Sequence, residues 1–110
     1  MFHYTDDRGY KAIGSQITWL FKVSKPPGDH PRAVYFTTLP PGTRNLGKRL
    51  FVRGCAEKTE FVFGFSGGED LPRLPGGRGD HIHYSEQDYP VGPERQELRG
   101  VTAQTREDMR

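Results

Sequence analysis

Hydrophobic side chains take every second position in two stretches of this chain. Ile17, Trp19, Phe21 and Val23 form one series, and Phe61, Phe63 and Phe65 form the other. A period of two places such residues on one face of extended backbone, so both stretches predict strands. Ala33 to Leu39 is rich in β-formers and is closed by Pro40-Pro41-Gly42, which predicts a third. Phe2-His3-Tyr4 reads as a short first strand, His81 to Tyr84 as a later one, and Gln96 to Val101 as the last.

Helical signals are fewer. Thr5 or Asp6 offers a short side-chain oxygen to the free backbone N–H groups of a following turn. Asp6 and Asp7 also suit the positive end of a helix, and Gly14 is placed to end it. A helix of about two turns over Asp6 to Ile13 follows. Leu46, Leu50 and Phe51 fit one side of a second short helix, with Lys48 and Arg49 directed elsewhere. Lys25 to Pro31 is a proline-rich loop, and Ser66 to Gly79 is a long glycine-rich one.

The resulting order is strand, helix, strand, loop, strand, short helix and three further strands. It predicts an α+β domain of small sheets and few helices. Strands do not alternate with full helices, so a doubly wound nucleotide-binding sheet is excluded. The chain has 110 residues, the length of one domain. We expect that domain over residues 1–101, followed by a polar tail, 102–110, that frays.

Composition adds some limits. Only 33% of residues are hydrophobic, but seven Phe, five Tyr and one Trp supply large buried areas. A net charge of +2 is too weak to argue for a nucleic-acid polymer as partner. Cys55 stands alone, so no internal disulfide is possible. It is either a nucleophile or a small residue packed in a loop. No apolar run is long enough for a membrane helix, and acids stand where a signal peptide needs an apolar stretch. The expected location is the cytoplasm, or the chain is secreted or injected without its own signal peptide, carried by a larger parent protein or a dedicated injection machine.

Reactive side chains and aromatics coincide in three patches. These are His3-Tyr4-Thr5, Tyr35-Phe36-Thr37-Thr38, and the run Gly76 to Asp88 with Asp80, His81, His83, Glu86 and Asp88. Each alone has a structural explanation: a hydrogen-bonded strand histidine, a core tyrosine, solvated turn acids. In this order and spacing, they resemble the H-Y-D/E clade of ADP-ribosyltransferases, which includes diphtheria-toxin-like toxins and poly-ADP-ribose polymerases. The likeness is nearest to the toxin-type branch with an H-Y-D signature. It spans residues 2 to about 100, with Glu60 to Phe65 similar to the family strand that precedes the last motif.

The resemblance implies a fold of small, split, mixed β-sheets with one or two short helices. It also implies a function: NAD-dependent transfer of ADP-ribose to a protein, nucleic-acid or small-molecule acceptor, with NAD as substrate and no metal. It raises an immunity or inhibitor protein as a further partner. Carried onto this sequence, His3, Tyr4, Thr5, Tyr35 and Phe36 would bind NAD. His3, Tyr35 and an acid would be catalytic. Asp80 fits the position just before a strand, while Glu86 and Asp88 lie in the following turn. Residues near 3, 35 and 80–88 would then line one cleft.

That chemistry suits these residue types. Histidine can hydrogen-bond ribose hydroxyls, and a tyrosine ring can stack on cationic nicotinamide. A fixed carboxylate stabilises the oxocarbenium-like sugar formed when the nicotinamide bond breaks. Arg32, Arg73 or Arg78 could pair with the diphosphate. Many family members carry a second stacking tyrosine about eleven residues after the first; here that position is Leu46, leaving Phe51 or Phe36 to cover the other nicotinamide face.

His81 and His83 share a strand face, but two histidines among scattered acids fall short of a zinc site. Two other functions remain open. Water could be the acceptor, making an NAD glycohydrolase. Alternatively, the chain could be an interaction module without chemistry, with the basic run Arg44, Lys48, Arg49 and Arg53 marking the partner site.

Overall fold

The computed structural model describes residues 1–25, 31–50, 56–74 and 79–108, with the side chains of 106–108 left aside. Phe51, Arg53, Cys55 and Arg78 lie outside the described residues.

The architecture is α+β, with two separate antiparallel sheets and a few short helices. Five strands form the larger sheet: β1 (Phe2–Thr5), β3 (Val34–Thr37), β4 (Phe61–Phe65), β5 (Ile82–Ser85) and β7 (Gln96–Val101), in the order β5-β3-β1-β4-β7. The smaller sheet pairs β2 (Trp19–Phe21) with β6 (Tyr89–Val91). Mixed sheets were expected, yet every described strand pairing is antiparallel.

Helix α1 (Asp7–Gly14) starts where a cap was expected. Asp6 accepts a hydrogen bond from the Gly9 N–H at 2.8 Å, satisfying a backbone donor that the first turn leaves free. Helix α2 (Leu46–Arg49) is a single turn entered through Asn45 at φ 56°. Helix α3 (Thr102–Asp108) replaces the expected frayed tail. Thr102 anchors it by donating to the Thr59 carbonyl at 2.6 Å, and its backbone N–H reaches the Glu60 carbonyl at 2.8 Å. Those bonds depend on a partner more than forty residues upstream, which no local polarity pattern reveals.

The core lies between the sheets. Trp19 and Phe21 of β2 and Val91 of β6 meet Phe36 of β3 and Phe63 and Phe65 of β4, all buried. The rings pack mainly edge to face: Phe21–Phe36 centroids are 5.3 Å apart at 88°, and Trp19–Phe63 4.9 Å at 63°. Arg95 closes one side, stacking over Phe65 and Tyr89 while donating to the Tyr89 hydroxyl at 2.7 Å.

Two expected elements changed. Ile17 lies outside β2 and is 82% exposed, so the alternating strand begins later than its apolar pattern. Strand β6 was not expected, because Tyr89-Pro90-Val91 is short and contains a proline. Pro90 is tolerated because the smaller sheet has only two strands, so every strand in it is an edge.

Candidate functional site

The site is built around the junction of β1 and β3. These strands share one ladder pair, Phe2 with Thr37. At the next residue the imidazole of His3 spans the two strands, its Nδ1 2.9 Å from the Tyr35 carbonyl oxygen. A carbonyl only accepts, so Nδ1 carries the proton and Nε2 is left as an acceptor. The ring packs on Phe21 and Phe36, with centroids at 4.7 and 5.6 Å. Burial among these rings drives its pKa from 6.5 down to about 4, against a smaller opposing effect of the Tyr35 bond. His3 is therefore a neutral imidazole at pH 7.

A cavity of about 600 Å³ opens beside this junction. Its size lies in the range of roughly 300–1,000 Å³ usual for small-molecule sites. His3, Tyr4, Thr5, Tyr35, Phe36 and Thr37 all border it. The two aromatic motifs thus reach one space, although some thirty residues separate them.

Within that space the rings are not equivalent. Alternation along β3 sends Phe36 to the core side with His3 and turns the Tyr35 ring to the opposite face. There it neighbours Tyr84 of β5, centroids 6.4 Å apart, and its hydroxyl donates to the Pro31 carbonyl. His3 and Tyr35 therefore meet through a ring nitrogen and a backbone carbonyl, not ring against ring. Burial, and then the neighbouring Tyr84, raise the Tyr35 phenol above its usual pKa. Tyr4 donates its hydroxyl to the Leu39 carbonyl at 2.8 Å, and burial raises its pKa strongly. Phe36 is only 2% exposed, which makes it mainly a core residue.

The candidate acids stand elsewhere. Asp80, Glu86 and Asp88 are exposed, and none is among the described lining residues. Asp80 lies two residues before Ile82, which does border the cavity. Asp88 accepts from the Val23 N–H at 2.9 Å, between the bordering residues Lys22 and Ser24. Of the arginines considered for a diphosphate, Arg32 and Arg73 are exposed and off the lining.

His81 and His83 take separate structural partners. Nδ1 of His81 is 3.1 Å from the Thr37 hydroxyl, and Nδ1 of the buried His83 donates to the Leu71 carbonyl at 2.8 Å. Burial, with Arg49 nearby, lowers the His81 pKa. No cluster of three or more metal-ligating side chains occurs among the described residues. No described helix is long and apolar enough to cross a membrane.

Other side chains reach the cavity without having been singled out from the sequence. Among the described lining residues Asp6 is the single carboxylate, against Lys22, Lys25 and Lys58. Asp6 is held ionised by the Gly9 N–H and by Lys58, whose Nζ lies 3.0 Å from Oδ2. Lys22 was visible in principle: the alternation that buries Trp19 and Phe21 sends Leu20, Lys22 and Ser24 to the other side. Lys58 gave no such signal, because its turn reaches the site only through the tertiary fold.

No protein-family model, curated protein or solved structure matches this chain.

Proposed function

We propose that the chain binds NAD in this cavity and cleaves its nicotinamide–ribose bond, passing ADP-ribose to an acceptor. The observation that carries the reading is the shared cavity. His3-Tyr4-Thr5 and Tyr35-Phe36-Thr37 come from strands that pair at one position only, and both triplets wall the same space of about 600 Å³.

The chemistry then follows from the side chains. Neutral His3 presents Nε2 as an acceptor, which suits a ribose hydroxyl. The apolar rings exclude water, and the lysines favour an anionic ligand. When the C1′–N bond breaks, its electron pair leaves with the nicotinamide nitrogen, which becomes neutral. Positive charge develops on the sugar, the acceptor's lone pair adds at C1′, and the acceptor loses a proton. A carboxylate near C1′ would stabilise that charge. Asp80 lies two residues before the bordering Ile82, and Asp88 is hydrogen-bonded to Val23, between the bordering Lys22 and Ser24.

Incubation with NAD, followed by chromatography of nicotinamide and ADP-ribose, tests the reading. Release by the wild type is expected, falling ~10²–10³-fold in whichever of Asp80→Ala and Asp88→Ala removes the working acid. Free ADP-ribose as sole product would identify water as acceptor, and labelled macromolecule would identify transfer. Absence of nicotinamide release from the wild type would end the proposal and favour an interaction module.

A further inference from the structure

One ion pair borders the cavity, made by residues far apart in the chain. Asp6 follows β1 directly and caps α1, and Lys58 sits in the short turn Ala56–Thr59 before β4. The Lys58 ammonium lies 3.0 Å from Asp6 Oδ2, and both residues line the cavity. Their side chains remain 44% and 26% exposed respectively, so the pair is open to a ligand.

Both partners keep hydrogen-bonding capacity. An ionised carboxylate has about four acceptor sites. Asp6 engages the Gly9 N–H through Oδ1 and Lys58 through Oδ2, which leaves acceptor capacity over. An ammonium carries several N–H donors, and among the described residues Lys58 spends one, on Asp6. The pair thus presents a donor and an acceptor side by side, with no net charge of its own. An anionic group would meet the carboxylate, and a cationic one the ammonium. A neutral group that donates and accepts at adjacent atoms satisfies both. A primary carboxamide does so: its N–H donates to Asp6 and its oxygen accepts from Lys58.

The surface beside the pair is mainly apolar. Gly9, Ala12 and Ile13 line the cavity at helical spacing, on one side of α1 with Asp6 at its head. Gly9 keeps this strip low. A Cβ there would collide with Thr5 Oγ1 and stand 3.3 Å from Asp6 Oδ1, obstructing the approach to the carboxylate. A planar ring can lie over the strip with its substituent at the pair.

We propose that Asp6 and Lys58 together recognise a neutral primary carboxamide on a planar ring seated over Gly9, Ala12 and Ile13. The proposal rests on the reading of the cavity as an NAD site and deepens it: the carboxamide is that of the departing nicotinamide. Asp6 is then a specificity residue as well as a helix cap.

Titrations followed by NMR test it with nicotinamide, nicotinate and 3-acetylpyridine as probes. Nicotinate replaces the N–H donor with negative charge, and 3-acetylpyridine keeps the oxygen but lacks the donor. The wild type should bind nicotinamide about tenfold or more tightly than either. Asp6→Asn keeps an oxygen for the Gly9 N–H, and it should narrow the gap between nicotinamide and nicotinate. Lys58→Met should weaken nicotinamide and 3-acetylpyridine alike, because both lose the partner of their oxygen. The wild-type ranking needs no variant, so the test stands even where a variant folds poorly.

Equal affinity of the wild type for nicotinamide and either other probe, binding of none of them, or a ranking unmoved in both folded variants overturns the proposal. Nicotinamide release from NAD is measured separately on the wild type. Release without discrimination among the probes rejects the carboxamide site and keeps the cleavage. Discrimination that depends on Asp6 and Lys58, without release, keeps the site and rejects the cleavage.

Discussion

His3 and Tyr35 are joined by a single hydrogen bond, from Nδ1 of the imidazole to the main-chain oxygen, 2.9 Å long. It links the two motif strands immediately beyond their one ladder pair. The histidine thus does two things: it ties the strands together at the cavity wall, and it fixes its own tautomer so that Nε2 is an acceptor. Replacement should affect stability and ligand recognition together. His3→Ala should lower stability by about 2–3 kcal/mol, since the Tyr35 carbonyl loses its donor and space opens against Phe21 and Phe36. It should also cut nicotinamide release ~10²-fold or more. Urea denaturation and product chromatography on one preparation check both effects. Full activity in His3→Ala would remove His3 from the site.

The buried imidazole also makes stability depend on pH. Its pKa is about 4 in the folded protein against 6.5 ordinarily. Between those values the unfolded chain binds the extra proton and the folded one does not, so stability falls as pH drops from 6.5 to 4. The loss is about 3 kcal/mol in all, complete near pH 4. Asp6, whose carboxyl is held below its usual value by the Gly9 N–H and Lys58, adds a further loss as pH falls through the carboxylate range. Denaturant midpoints from pH 7.5 to 4 should decline across this window. In His3→Gln the decline between pH 6.5 and 5 should flatten, because the group that titrates there is gone.

The glycine-rich connection after β4 offers a backbone test. Gly67 and Gly68 both adopt left-handed conformations, at φ 93° and 91°. A Cβ on Gly68 would make only ordinary contacts, the nearest at 3.6 Å to Met1 Cγ, whereas one on Gly67 would fall 2.7 Å from the Arg95 guanidinium. Gly68→Ala should therefore cost about 1 kcal/mol through backbone strain alone. Gly67→Ala should cost more, because Arg95 must leave its bonds to Ser66 and Tyr89. Thermal unfolding of the two variants side by side would rank them. An equal loss would mean that Arg95 moves aside freely.

What could be read from the sequence follows the range of the interactions involved. The alternation of Phe61, Phe63 and Phe65, and the Asp6 cap with its helix, are local, and each appears in the structure. The convergence of residues 3 and 35 on one space was expected through a family resemblance, not through any local pattern. Alternation along β3 alone would have separated the Tyr35 ring from His3. The helix at Thr102–Asp108 and the arrival of Lys58 at the cavity depend on contacts across more than forty residues. Polarity along the chain carries no trace of such contacts. Lys22 follows directly on β2, and the alternation that buries Trp19 and Phe21 marks it for the opposite side.

Asp6 and Lys58 allow the electrostatics of the cavity to be separated from its shape. Asp6→Asn keeps a side-chain oxygen for the Gly9 N–H, so the cap of α1 survives, but it discharges the single carboxylate among the described lining residues. Lys58 is then relieved of its ion pair at 3.0 Å and adds its charge to the cavity it borders. One charge removed at about 6 Å in a water-like dielectric is worth about 0.7 kcal/mol, roughly threefold in affinity. Pyrophosphate and ADP-ribose should therefore bind Asp6→Asn about threefold more tightly than the wild type, with the advantage fading at high salt. Asp6→Ala should gain the same attraction but lose the cap, at a cost of about 1 kcal/mol of stability. Calorimetry and thermal unfolding of both variants separate the two effects. Weaker pyrophosphate binding in Asp6→Asn would mean that the carboxylate shapes the site and does not oppose the anion.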